Sequence, residues 1–106
     1  MARYLYQASY TAEGTKGLLK DGGSKRRAAV EEMTKALGGK VEAFYYGFGE
    51  PDVFLIVDAP DNASAAAVSL AVNASGAVQL KTTVLMTPEE MDTATKKSVS
   101  YRAPGK

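Results

Sequence analysis

Apolar positions along this chain alternate, shift to helical spacing, and alternate again, twice over. In residues 3–10 aromatics recur at Tyr4, Tyr6 and Tyr10 with Ala8 between them. That period of two predicts a strand. Residues 11–20 are polar and hold Gly14 and Gly17, which predicts a turn and a single helical turn, broken at Gly22-Gly23. Val30, Met33 and Leu37 then fall at helical spacing, with Ala29 and Ala36 beside them. Ser24 is a suitable N-cap and Gly38-Gly39 a suitable stop, so a helix is expected over residues 25–37. Glu31 and Lys35 add an i,i+4 pair worth about 0.3 kcal/mol.

The second half repeats the order. Residues 41–48, with Phe44, Tyr45, Tyr46 and Phe48, predict a second strand. Gly49-Glu50-Pro51 reads as a turn. Residues 52–59 predict a third strand, apolar at every position from 53 to 57, so both its faces should be covered. Pro60 stops it, and Asp61 or Asn62 caps an alanine-rich helix over residues 63–74. Residues 77–86 predict a fourth strand. Val78, Leu80, Thr82, Val84 and Met86 lie on one face, and Gln79, Lys81, Thr83 and Leu85 on the other. Thr87-Pro88-Glu89-Glu90 is a capping box that opens a short helix.

The order strand, helix, strand, strand, helix, strand predicts an α+β protein. It implies a ferredoxin-like βαββαβ fold with a four-stranded antiparallel sheet, strands one and three central and both helices on one face. The other face should be polar if exposed, yet the third strand is apolar on both faces, Phe54 and Ile56 alternating with Val53, Leu55 and Val57. The first and second strands are expected to add tyrosines and phenylalanines to it. A large apolar patch on a soluble protein marks an interface, so a homodimer packed sheet against sheet is expected.

With 106 residues the chain is expected to form a single domain over residues 1–92, followed by a polar, loose tail over 93–106. Thirteen basic and twelve acidic side chains leave a net charge of +1, which gives no reason to expect a polyanion partner. The absence of Cys, His and Trp removes thiol nucleophiles, disulfides, Cys/His zinc sites and any Ser-His-Asp triad. No metal site or cofactor is expected, and haem would lack its usual histidine ligand. The first residues do not read as a signal peptide, and the apolar run 53–57 is far too short to span a bilayer. A cytoplasmic protein with neither a membrane nor a nucleic-acid partner is expected.

Four segments carry a resemblance: Tyr10-Thr11 at the first loop, the turn Gly49-Glu50-Pro51-Asp52, the Val-Phe-Leu-Ile-Val strand after it, and Ala59-Pro60-Asp61. Together with the element order they resemble the GYD domain family over about residues 3–92. The resemblance implies a dimeric α+β barrel assembly. One position departs from the family: Gly49 and Asp52 match its turn, but Pro51 stands in place of the tyrosine.

Candidate chemistry is sparse. Tyr4, Tyr6, Tyr10, Tyr45 and Tyr46 could line an aromatic ligand pocket, or pack in the core and the dimer interface. Tyr45 and Tyr46 must face opposite ways. Asp52, at the start of a central strand, is the one candidate for a catalytic base; the alternative is a turn cap bonding backbone N–H groups. Glu42 alternates with Phe44 and Tyr46, which places it on an aromatic face near a strand end. Lys16, Lys20, Lys25, Arg26 and Arg27 could attract an anion or form a solvated surface. The reading drawn from these residues is a homo-oligomeric module. It binds a small organic molecule through Tyr4, Tyr6, Glu42, Tyr46 and Asp52, with no catalysis. The resemblance keeps open a cofactor-independent oxygenase- or isomerase-like enzyme using Tyr and Asp. A structural oligomer subunit is the remaining alternative.

Overall fold

The structure, a computed structural model, describes residues 2–106. The elements follow the order β1 (Ala2–Tyr10), α1 (Ala12–Asp21), α2 (Gly23–Ala36), β2 (Lys40–Tyr46), β3 (Val53–Ala59), α3 (Asn62–Ala74), β4 (Val78–Leu85) and α4 (Pro88–Thr95). The four strands form one antiparallel sheet in the order β2-β3-β1-β4. This α+β arrangement is compatible with a ferredoxin-like fold, with β1 and β3 central as expected.

Strand β3 shows how the sheet divides the molecule. Val53, Leu55 and Val57 are 3–6% exposed, whereas Phe54 and Ile56 between them are only partly buried. The register sets Tyr6 of β1 opposite Leu55 and Tyr4 opposite Val57, so both tyrosines share the better-buried face. Helices α2 and α3 cover that face. Each aliphatic side chain fully removed from water there contributes about 1.5–3 kcal/mol. Helix α2 packs mainly on β2 and α3 mainly on β4. The middle of the sheet therefore faces the space between the two helices.

The segment between β1 and α2 differs from expectation. It is a ten-residue helix, α1, and not one helical turn. The Thr11 side chain accepts the Gly14 N–H at 3.3 Å, while Thr11 N–H donates to the Ala77 carbonyl at 3.0 Å. A Cβ at Gly14 would lie 2.0 Å from that same carbonyl oxygen. Glycine, a poor helix former, is what lets α1 dock against the start of β4. Gly22, at φ 82°, turns the chain directly from α1 into α2. Ser24 therefore sits inside the first helical turn and is not the N-cap. Gly22 holds the cap position with no side-chain bond, and Lys25, Arg26 and Arg27 follow without an acidic residue in that turn. By contrast, the Asp61 carboxylate accepts the Ser64 N–H at 2.7 Å at the start of α3, and Thr87 and Glu90 complete the capping box of α4.

Two further boundaries differ. Strand β2 ends at Tyr46, short of Phe48, whose side chain is fully exposed. A bulge separates Val41, paired with Val57, from Ala43, paired with Ile56. At the other end of the chain, every residue from Met86 to Arg102 is exposed, α4 included. The radius of gyration, 16.8 Å, exceeds the value of about 13 Å typical of this length. Among the described residues no helix is long and apolar enough to cross a membrane.

Candidate functional site

Between the sheet and the α2–α3 pair lies a cavity of about 220 Å³. Its floor is the buried face of the sheet, with Tyr6, Ala8, Leu55 and Val57. Val30 and Met33 of α2 form one wall, and Val68 and Val72 of α3 the other. Helix α3 is largely alanine and contributes only Val68 and Val72 to the lining, which leaves the space unfilled. A volume somewhat above the ~150 Å³ of an apolar cavity able to hold benzene suits a compact organic molecule.

Two of the polar groups around this cavity are already bonded. The Tyr6 hydroxyl donates to the Ala65 carbonyl at 2.8 Å, and burial holds its pKa above the usual tyrosine range, with Tyr4 adding to the shift. The Thr34 hydroxyl donates to the Val30 carbonyl at 2.8 Å within its own helix. Tyr10 and Arg26 also line the cavity. Both also line an adjoining groove walled by α1, so they stand where the two spaces meet. Arg26 is partly buried, and among the described residues no carboxylate pairs with it. Tyr46 lies beside this mouth and donates from its hydroxyl to the Gly23 carbonyl at 3.0 Å. Partial burial and the neighbouring Tyr10 hydroxyl hold its pKa above the usual range, opposed by Arg26 and Arg27. Its ring stacks edge-on against Phe44 at 5.3 Å.

The five residues singled out from the sequence do not form one site. Tyr6 lines the cavity and Tyr46 sits at its mouth. Tyr4, 1% exposed, belongs to a separate shallow cleft and donates its hydroxyl to the Asn62 side chain. Asp52 accepts the Tyr10 N–H at 2.9 Å, while its own N–H donates to the Ala8 carbonyl at 2.8 Å. It ties the β2–β3 turn to β1, as a turn cap does. Glu42 is on the opposite face of the sheet from the one expected, because it is the extra residue of the bulge and strict alternation fails there. It meets Arg3 at 3.2 Å, and Arg3 also meets Asp58 at 3.2 Å. The tyrosines expected on the open sheet face are mostly absent from it. Tyr4, Tyr6 and Tyr46 share the helix-covered side, and Tyr45, 70% exposed, is the tyrosine on the other.

Arg26, read from the sequence only as one of a basic group that could attract an anion, lines the cavity and was not among the five residues singled out. Its signal lies in the sequence: positions 26, 30, 33 and 37 form one helical stripe, so Arg26 extends the apolar face of Val30, Met33 and Leu37. Grouping it with its basic neighbours concealed that placement.

A GYD domain family model matches residues 4–95. No curated protein and no solved structure matches the chain.

Proposed function

The chain belongs to the GYD domain family, and we propose that it works as a homodimeric module that holds a small organic molecule between its sheet and helices without transforming it. The cavity of about 220 Å³ carries this reading: it is lined by Tyr6, Leu55, Val30, Val68 and similar apolar side chains, the usual make-up of a small-molecule site. Binding is favoured over turnover because the proposed acid–base side chains are engaged elsewhere. Asp52 caps a turn, and the hydroxyls of Tyr4 and Tyr6 donate to Asn62 and Ala65.

The second copy is proposed to sit on the open face of the sheet. Leu5, Phe54 and Ile56 lie there without a covering helix, bordered by the Arg3–Glu42–Asp58 cluster that would set orientation. The exposed α4 favours the same assembly, since an eight-residue helix with all its residues exposed has little stability of its own. A cytoplasmic location is part of the proposal.

Native mass spectrometry of gently purified protein tests both parts. A dimer with retained small-molecule mass is the expected spectrum. A bare monomer at micromolar concentration would remove the dimer. Failure of the protein to bind an apolar fluorescent dye such as anilinonaphthalene sulfonate, with Val68→Phe behaving identically, would remove the pocket.

A further inference from the structure

We propose that the cavity selects a monocarboxylate with a compact apolar body, the carboxylate lodging against Arg26 at the mouth and the hydrocarbon inside. This rests on the reading of the cavity as a ligand site and adds the ligand's chemical class. A purely apolar cavity would accept any hydrocarbon of the right size. This one is different at a single point. Its floor and walls are aliphatic and aromatic, but Arg26 extends the stripe of Val30 and Met33 to the opening.

A guanidinium in that position is partly withdrawn from water, and leaving it there without a counter-charge is costly. The protein supplies none. Glu13 and Asp21 line the groove on the far side of Arg26, yet neither pairs with it, and Glu13 is paired with Lys16 at 3.8 Å instead. A ligand carboxylate satisfies Arg26 with the parallel two-bond geometry that a guanidinium favours. The Tyr10 side chain lines the same opening, within hydrogen-bonding reach of the Tyr46 hydroxyl, and adds a second polar group to the mouth. Other polar groups on the cavity wall, the hydroxyls of Tyr6 and Thr34, are already donating. They offer a ligand no free donor deeper in, which confines the polar end of the ligand to the mouth.

A matched pair of ligands tests the proposal on the full chain. Octanoate and octanamide have the same hydrocarbon body and differ in charge. Calorimetric titration of the native protein is expected to show octanoate binding at least about tenfold more tightly than octanamide. In Arg26→Gln the preference should vanish while octanamide binding persists. Arg26→Lys should retain part of the preference, because the charge remains but the planar fork does not. Equal affinities for the two ligands in the native protein would overturn the carboxylate selection and leave the cavity as a neutral pocket. Absence of binding by either ligand would overturn the cavity reading itself. Binding of both that is untouched by Val68→Phe would place them elsewhere on the surface and overturn both.

Discussion

The two faces of the sheet share the same strands and have opposite characters. On the covered face, Val53, Leu55 and Val57 meet Tyr4 and Tyr6 and are almost fully removed from water. On the other, Phe54 and Ile56 meet Leu5 and Gln7 and remain partly exposed. The covered face is itself incomplete, since α2 and α3 sit over the sheet's edges and leave a cavity above its centre. One face therefore encloses a small apolar cavity. The other carries a partly exposed apolar strip bordered by Arg3, Glu42 and Asp58. The difference shows that apolar residues on both sides of a strand need not serve one core.

The largest expected break in that comparison comes from paired truncations on β3. Leu55→Ala should cost toward the lower end of about 2–5 kcal/mol in denaturant unfolding, because Leu55 already faces a cavity on one side. Ile56→Asp, one residue along, should leave far-ultraviolet circular dichroism unchanged. It should convert the proposed dimer to monomer in sedimentation velocity. If Ile56→Asp unfolds the chain and Leu55→Ala does not, the assignment of the two faces is reversed.

A smaller effect is expected from Tyr6→Phe. It removes the bond to the Ala65 carbonyl and leaves that acceptor buried, at about 1–2 kcal/mol. Chemical denaturation measures it, and an unchanged midpoint would mean that water replaces the hydroxyl. The smallest effect concerns pH. Bonding to the Ser64 backbone N–H, then to its side chain, holds the Asp61 carboxyl below its usual range. Its contribution to the α3 cap is complete above the ordinary carboxylate pKa and is lost as pH falls through the lowered value. The Ser64 amide should then show acid-induced exchange and shift changes by NMR that are absent in Asp61→Ala.

Much of the fold was legible in the pattern of residues. The period of two in β1, the continuous apolar run of β3 and the capping box of α4 each follow from local chemistry, and the helix-covered side of Tyr4 and Tyr6 follows from alternation once the register is known. What escaped is equally physical. Helix α1 contains two glycines and reads as a turn with a single helical turn, because the contact that seats it, Gly14 against Ala77, joins residues distant in the chain. Glu42 changed faces through a bulge, a pairing event that no single strand records. Asp52 presented the same residue type for a base or a cap, and only the position of the Tyr10 N–H decided between them.

The sequence by itself determined the four strands, helices α2, α3 and α4, the central place of β1 and β3, and the family, because periodicity, caps and turn residues act over a few neighbours. The tertiary structure alone decided that a cavity exists and that Arg26 stands at its mouth with Tyr10. Those facts depend on how far an alanine-rich helix stands from its partner across the sheet. That separation is set by packing between residues distant in the chain, which local pattern does not encode.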